Sequence, residues 1–180
     1  MKKTFFIILF FSIFFLNSNA DNKVISISEG KSDAKINLII YESLTCSHCA
    51  NFHKKTYPLL KENFIDTGLA NIEFRSFPLD MAAFNASKIA HCKNNGESKI
   101  LHFLFENQNR WAKGKTIEEF NKNLEKILNN EKFDLNFKNC INDKHIEDYI
   151  LEDRIEAVKK YKIDATPTLI IMGEKFEKPL

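Results

Sequence analysis

The sequence is poor in cysteine, in net charge and in long hydrophobic runs, and each scarcity excludes a class of protein. Four cysteines in 180 residues are fewer than a fold held together mainly by disulfides uses. The 26 basic residues barely exceed the 24 acidic ones, so nucleic acid and anionic surfaces are not expected partners. No segment after residue 20 is long and apolar enough to span a bilayer, and the sequence has no internal repeats.

The single long hydrophobic run lies at the N-terminus and has the layout of an export signal. Two lysines precede an apolar run from Phe5 to Leu16, and the small residue Ala20 follows a short polar stretch. A helix of that length spans about 18 Å, well short of the roughly 30 Å hydrocarbon core of a bilayer. We therefore predict that residues 1–20 are a signal peptide cleaved after Ala20, which leaves enough chain for one exported domain.

The first part of the exported chain alternates strands with one helix. Strands are predicted over residues 23–28, 35–41 and 71–79, where apolar and β-branched residues alternate or run together. Residues 47–63 have helical spacing, and Pro58 is expected to kink that helix because it lacks an N–H and clashes with the preceding turn. This pattern predicts an α/β unit.

A long helical region interrupts this unit. Amphipathic helices are predicted over residues 81–94, 97–111, 116–130 and 144–161. The strand pattern returns only at Thr168–Met172, close to the end of the sequence. The expected architecture is therefore an α/β fold with an inserted all-helical subdomain.

The stretch YESLTCSHCANFH, residues 41–53, places Cys46 and Cys49 two residues apart where the second strand meets the helix. A structural zinc site needs about four ligands, and His53 is the one nearby residue that adds to the pair. Covalent haem needs a histidine at position 50, which is alanine. An inert disulfide across two residues at a helix start is uncommon, so a redox-active dithiol is the favoured interpretation.

The start of a helix gives the two cysteines different roles. Unpaired N–H groups and the helix dipole stabilise a thiolate on Cys46, and His48 adds a group that carries positive charge or donates a hydrogen bond. Cys49 lies one turn later with its sulfur turned inward. We predict that Cys46 is the nucleophile and Cys49 the resolving thiol. A stabilised thiolate favours the dithiol form, so such a protein tends to donate its disulfide.

Two further features have alternatives that the residues alone leave open. Thr166–Pro167 is either an ordinary strand entry or a cis peptide bond beside the two sulfurs, where it pairs with an extended substrate. Glu42, four residues before Cys46, is either a solvated charge at a strand end or a partly buried acid that relays protons during exchange.

The remaining cysteines, Cys92 and Cys140, lie on separate segments of the helical region. We predict a structural disulfide between them, because an exported chain meets an oxidising environment. A second exchange site and two buried free thiols are the alternatives. The other histidines, including His53, His91 and His102, show no metal-ligand spacing and are interpreted as surface or helix-face residues. Neither a metal nor another cofactor is expected.

Together these motifs resemble the DsbA-like thiol:disulfide oxidoreductases of the bacterial periplasm, which have a thioredoxin fold with an inserted helical domain. The resemblance covers essentially all of residues 24–176. It departs from the better-known members at Ser47, where they carry proline, and this leaves the redox potential open. The matching motifs are CSHC (46–49), FPLD (77–80), NQNRW (107–111) and ATPTLII (165–171).

The resemblance implies a role for each site residue. It implies that Cys46 is the nucleophile, that Cys49 is its partner and that His48 tunes the thiolate. Thr166 and Pro167 become the cis-proline pair that contacts substrate. Reduced or unfolded exported proteins are the implied substrates, a DsbB-like quinone-linked membrane oxidase is the implied partner, and the periplasm is the implied location. A disulfide isomerase or reductase of the same fold is the nearest alternative, and a metal-binding protein without exchange chemistry is the more distant one.

The resemblance also implies a division of the chain. After the signal peptide, residues 21–79 form the first part of the thioredoxin fold, residues 80–160 the helical insertion and residues 161–180 the second part. Few residues follow the last strand, so the closing helix of a thioredoxin fold is expected to be missing from this sequence.

Overall fold

A computed structural model describes residues 23–178 and builds them around one five-stranded sheet. The strand order is β1-β3-β2-β4-β5; β2 and β3 are parallel and every other neighbouring pair is antiparallel. The predicted signal peptide lies outside the described residues. The strands are β1 (Ile27–Gly30), β2 (Ile36–Glu42), β3 (Ala70–Ser76), β4 (Thr168–Ile171) and β5 (Glu174–Lys175).

Strand β2 occupies the centre of the sheet, as its nearly continuous apolar sequence predicts. Ile40 and Tyr41 are both fully buried although they point to opposite faces. Ile40 pairs with Phe74 of β3 on one side and with Leu169 of β4 on the other. The end of β2 is thus held on both edges, which fixes the place where the chain turns into the first helix.

Helix α1 connects β2 to β3 and contains two wide π turns. It runs through residues 47–65 as α turns at Ser47–Asn51 and Tyr57–Leu60, each followed by a π segment. Pro58 lies in the first turn of the second α segment, where a missing N–H is tolerated. The helix therefore continues through Pro58, because the π turn before it provides the extra room.

Six further helices follow, and side chains cap four of them. Asp80, Thr116, Asn136 and Asp143 each accept a hydrogen bond from a backbone N–H in the first turn of α2, α5, α6 and α7 respectively. No helix between residues 23 and 178 combines the length and the hydropathy needed to cross a membrane. The helices are α2 (Met81–His91), α3 (Lys99–Glu106), α4 (Gln108–Trp111), α5 (Ile117–Asn130), α6 (Phe137–Ile141) and α7 (Lys144–Tyr161).

The observed elements differ from the predicted ones in several places. The first strand is displaced toward Gly30, and β3 ends at Ser76 rather than at residue 79. The predicted helix over residues 97–111 is two helices, because the backbone leaves the helical region of φ/ψ space at Asn107. Helix α6 is short and was not among the predicted segments.

The sheet and the helical region share one hydrophobic core. Ile40 and Ile72 of the sheet belong to the same buried cluster as Leu104, Trp111 and Leu124 of the helices. The Trp111 indole N–H donates to the Leu104 carbonyl oxygen at 2.8 Å, which allows the ring to be fully buried. Because this core is continuous, the helical region and the sheet hold each other in place.

The opposite face of the sheet is covered by α7. A separate buried cluster there joins Ala157 and Tyr161 of this helix to Tyr41 of β2 and Ile170 of β4. The sheet is therefore a middle layer between helices, as in other α/β folds. The predicted domain boundaries stay a prediction.

Candidate active site

The two cysteines of the CSHC motif lie at the junction of β2 and α1, in clearly different surroundings. Cys46 caps α1 in an extended conformation and is partly exposed, whereas Cys49 is completely buried. The Cys46 backbone N–H donates to the Ser43 carbonyl oxygen at 3.0 Å and closes the turn before the helix. Cys46 is therefore the sulfur that an incoming protein can reach.

The surroundings of the two thiols move their pKa values in opposite directions. Hydrogen bonding from the Cys49 thiol, with help from Thr166 and the backbone N–H groups of Cys49 and His48, outweighs burial and lowers the pKa of Cys46 to about 5. Burial raises the pKa of Cys49 well above its ordinary range, and the charge of Glu42 adds to that effect. At neutral pH the pair therefore holds one thiolate and one thiol.

Residue 48 contributes to this site through its backbone N–H, and its side chain is exposed. A tuning role for the His48 side chain stays a prediction.

A cis peptide bond joins Thr166 and Pro167 beside the two sulfurs. The Cys46 sulfur lies 3.4 Å from the Thr166 carbonyl oxygen, to which it donates a hydrogen bond when it is protonated. The Thr166 hydroxyl is buried without a well-formed hydrogen bond to any of the residues 23–178, and its proximity favours the thiolate of Cys46. The residues before β4 thus form the second wall of the site.

Glu42 is buried beneath the cysteines, so it is not a solvated strand-end charge. Its side chain is 3% exposed, and its Oε2 lies 2.7 Å from Nε2 of His53. The other carboxyl oxygen, Oε1, has no hydrogen-bond partner within the described part of the chain. A buried carboxyl oxygen without a partner is costly unless it has a use.

Cys92 and Cys140 form a disulfide away from this site, with their Cα atoms 5.3 Å apart. The bond ties the end of α2 to α6. Lys88 makes a second link nearby, because its buried ammonium donates to the Ile141 carbonyl oxygen at 2.9 Å and pairs with Glu147.

Two residues that the sequence analysis does not name individually hold the loop before Cys46. The Gln108 side-chain amide donates to the carbonyl oxygens of Leu44 and Cys46, each at 2.9 Å. Asp80 accepts a hydrogen bond from the Thr45 hydroxyl at 2.7 Å while it caps α2. Both belong to the NQNRW and FPLD motifs, which therefore shape the site without taking part in the exchange itself.

Two of the remaining histidines, interpreted from the sequence as surface or helix-face residues, lie on helix faces that point into the protein. His53 and His91 are both buried, and Nδ1 of His53 lies 3.1 Å from Nδ1 of His102. His53 follows the inward-facing Cys49 by four residues, so the helical period already places both on one face. The four-residue spacing from Cys49 is therefore the sequence feature that predicts the burial of His53.

Three comparisons with known proteins bear on this geometry. A thioredoxin family model matches residues 22–180. The crystal structure of alpha-DsbA1 from Wolbachia pipientis is 34% identical and superposes with a TM-score of 0.72, covering 86% of this chain and 79% of that one. Oxidised BdbD from Bacillus subtilis superposes with a TM-score of 0.69, covering 87% of this chain and 91% of that one. Its 17% identity shows likeness of fold alone.

A curated relative from Rickettsia bellii, described as a candidate protein-disulfide oxidoreductase, is 27% identical over 152 residues. The match covers 82% of this chain and 57% of that protein, and the chain spans about half the length of this and two other curated Rickettsia relatives. The predicted fold class, a thioredoxin fold with a helical insertion, is confirmed by the family model and by the superposition on alpha-DsbA1. The chain belongs to the thioredoxin family, as a DsbA-like member with an inserted helical region.

Proposed function

We propose that this protein is a thiol:disulfide oxidoreductase that donates the Cys46–Cys49 disulfide to other proteins. The observation that carries the proposal is the contrast between the two sulfurs. Cys46 is accessible and holds a thiolate at neutral pH, while Cys49 is buried and stays protonated. The relatives named above support the same chemistry.

The exchange follows from this contrast. A substrate thiolate attacks the accessible Cys46 sulfur of the oxidised protein, and the bond between Cys46 and Cys49 breaks. The electron pair stays on Cys49, which takes up a proton because its pKa is strongly raised. A second substrate thiolate then attacks the substrate sulfur of the mixed disulfide, and Cys46 leaves as a thiolate whose low pKa makes it a good leaving group.

The direction of the reaction follows from the same thiolate. Lowering the pKa of Cys46 stabilises the reduced protein relative to the oxidised one, since only the reduced form contains the thiolate. The disulfide is then more oxidising than that of an ordinary dithiol. This favours donation of the disulfide over reduction or isomerisation of substrates.

Substrate, partner and location follow the family. Reduced or unfolded exported proteins are the substrates, and an extended segment of such a protein pairs with the backbone at Thr166 and Pro167. A DsbB-like quinone-linked membrane oxidase restores the disulfide. Residues 1–20 act as a signal peptide that directs the chain to the periplasm. Glu42 exchanges protons with Cys49, since it is buried nearby and one of its carboxyl oxygens has no partner among residues 23–178.

Equilibration with glutathione buffers tests the proposed direction. The fraction of oxidised Cys46–Cys49 is measured by mass spectrometry after acid quenching and alkylation. We expect a potential clearly more positive than the value of about −270 mV for thioredoxin. A value near that of thioredoxin contradicts the donor role and favours a reductase.

A further inference from the structure

A continuous row of acid and imidazole groups runs from beneath the active site to the surface at β1. Its inner end is Glu42, whose Oε2 lies 2.7 Å from Nε2 of His53. Nδ1 of His53 lies 3.1 Å from Nδ1 of His102, and Nε2 of His102 lies 2.7 Å from Oε1 of Glu29. These three contacts join four side chains from β2, α1, α3 and β1. Each contact is short enough for a hydrogen bond.

The contact between the two imidazoles fixes how many protons the row holds. One of the two facing Nδ1 atoms must carry a proton and the other must accept it, because each ring nitrogen either donates or accepts. If both ring nitrogens that face carboxylates also donate, one imidazole is neutral and the other is an imidazolium. The extra proton can sit on His102, on His53 or, after one further transfer, on Glu42. All three hydrogen bonds remain intact in every case.

The inner end of the row lies close enough to Cys49 for its charge to act on that thiol. Oε1 of Glu42 is buried and free of partners among residues 23–178, and the Glu42 charge acts on Cys49. This oxygen can therefore receive the thiol proton while Oε2 keeps its contact with His53. Lys54 and Glu106 are the charged groups that line the cleft over His53.

The outer end of the row is open to water. The side chains of His102 and Glu29 are 21% and 17% exposed, against 4% for His53. Burial opposes ionisation of Glu29, but several hydrogen bonds, the largest from His102, outweigh it and hold its pKa well below the usual range. Tyr57 donates to this carboxylate at 2.5 Å, and Lys61 lies 3.4 Å away. Glu29 thus stays charged and orients His102 without keeping the proton.

Aromatic rings enclose the middle of the row. Phe105 stacks on the His53 ring with 4.0 Å between centroids, and Phe74 lies against both imidazoles. His53 is the one hydrogen-bond partner of the Glu42 carboxyl among residues 23–178, because Oε1 has none. The two histidines are therefore the hydrogen-bonded route that a proton on Glu42 can follow within the described part of the chain.

We propose that His53 and His102 form a proton-transfer unit that connects Glu42, and through it the Cys49 thiol, with solvent beside Glu29. The proposal rests on the proposed exchange function and extends it. When Cys49 attacks a mixed disulfide on Cys46, its proton passes to Glu42 and one proton leaves His102 for water. The new bond joins Cys49 to Cys46, and the partner sulfur departs as a thiolate with the electron pair. When the disulfide is reduced, protons move along the same path in the opposite direction, from solvent to Cys49.

Single-turnover oxidation of the reduced full-length protein by dithiobis(nitrobenzoate) separates the reaction of Cys46 from that of Cys49. The first coloured product appears when the Cys46 thiolate attacks the reagent, and the second when Cys49 resolves the mixed disulfide. The first phase needs no proton from Cys49, so it serves as an internal control in every trace. A wild-type protein without a second phase contradicts the exchange function itself, which keeps that failure distinct from failure of the relay.

Glutamine variants test the relay, because glutamine keeps hydrogen bonds but does not pass protons on. We expect H53Q and H102Q to slow the second phase by about tenfold to a hundredfold and to leave the first phase unchanged. H91Q is the matched control, since His91 is equally buried but lies outside the row. A wild-type second phase in H102Q, or an equal slowing in H91Q, overturns the proposal.

Chemical rescue separates proton transfer from a purely structural role of His53. The cleft beside His53, of about 560 Å³ and lined by Ala50, Pro58 and Phe105, offers a path to the space that H53A vacates. We expect added imidazole to accelerate the second phase of H53A, in step with the unprotonated fraction of imidazole as pH changes. A second phase that imidazole leaves unchanged at every pH overturns the proposal.

Discussion

The chain carries two cysteine pairs whose surroundings are opposite in kind. Cys46 and Cys49 lie at a helix start, where hydrogen-bond donors and a buried acid force one sulfur to be charged and the other neutral. Cys92 and Cys140 join the end of α2 to α6 inside the helical region. The comparison teaches that reactivity is set by the groups around a sulfur. A pair that can exchange needs an accessible thiolate, whereas a structural pair needs only the right distance between its Cα atoms.

The largest expected effect separates the pairs by activity. We expect C46S to lower oxidation of a reduced model protein to the uncatalysed rate, because no other accessible sulfur is held as a thiolate. The double variant C92A/C140A is expected to keep most of the activity. The measurement is the rate of disulfide formation in reduced hirudin or a similar substrate. Strong residual activity in C46S, or loss of activity in C92A/C140A, would contradict the assignment of one pair to exchange and the other to structure.

The second effect concerns the free energy of unfolding, which is expected to change in opposite directions when the two disulfides are broken. Removing the Cys92–Cys140 bond in C92A/C140A is expected to lower the free energy of unfolding by about 2–4 kcal/mol, because the unfolded chain is no longer constrained. Reducing the Cys46–Cys49 bond is expected to raise that free energy, because it creates the stabilised thiolate.

Denaturant unfolding of the wild type in both redox states of the active pair, alongside the double variant, measures these two effects. The double variant is compared with the wild type in the same redox state. Equal signs for the two bonds would contradict the prediction.

The pH dependence of the redox potential sharpens the comparison further. The pKa of Cys46 is depressed, so its stabilisation of the reduced form is fully present above the ordinary thiol pKa and is lost as pH falls through about 5. Above pH 5 reduction takes up one proton for two electrons, and the potential should change by about 30 mV per pH unit. Below pH 5 it takes up two protons, and the slope should rise to about 60 mV per pH unit.

Glutathione titrations across this range locate the change of slope. The absorbance of the thiolate gives an independent measure of the same titration. A single slope of about 60 mV per pH unit through neutrality would mean that Cys46 titrates as an ordinary thiol.

The smallest expected effect concerns the link beside the structural disulfide. Lys88→Met removes the buried ammonium that binds the Ile141 carbonyl oxygen and Glu147. We expect the free energy of unfolding to fall by about 1–2 kcal/mol, with little change in exchange rate. The loss should be larger in the C92A/C140A background, because the two links then no longer support each other. Additive losses would show that the links act independently.

The sequence predicts those parts of the fold that depend on local pattern. The apolar run of β2 and the amphipathic spacing of α5 and α7 predict the observed elements closely. The break at Asn107 and the short helix α6 were missed, because four or five residues carry too little periodicity to distinguish a helix from a turn. The continuation of α1 through Pro58 depends on π turns, which have no simple sequence signature.

The features of the site also divide into those that follow from local sequence and those that depend on contacts between distant residues. Cys46 and Cys49 are separated by only two residues, and their asymmetry follows from the helix start alone. The contact between His53 and His102 joins residues 49 positions apart, and helical spacing indicates the face on which a side chain lies but not its neighbour across the core. The burial of Glu42 was one of two alternatives, and choosing between them needed the packing of α1 against β2.

Gln108 gives the helical region a direct hold on the reactive loop, through hydrogen bonds to the carbonyl oxygens of Leu44 and Cys46. The CSHC tetrapeptide alone therefore does not determine the geometry of the site. Transplanted into a minimal scaffold without helix α4, the same tetrapeptide would lose this brace, and its sulfur would sample orientations that slow encounter with substrate. Engineering this chemistry elsewhere would require moving two distant segments of chain together.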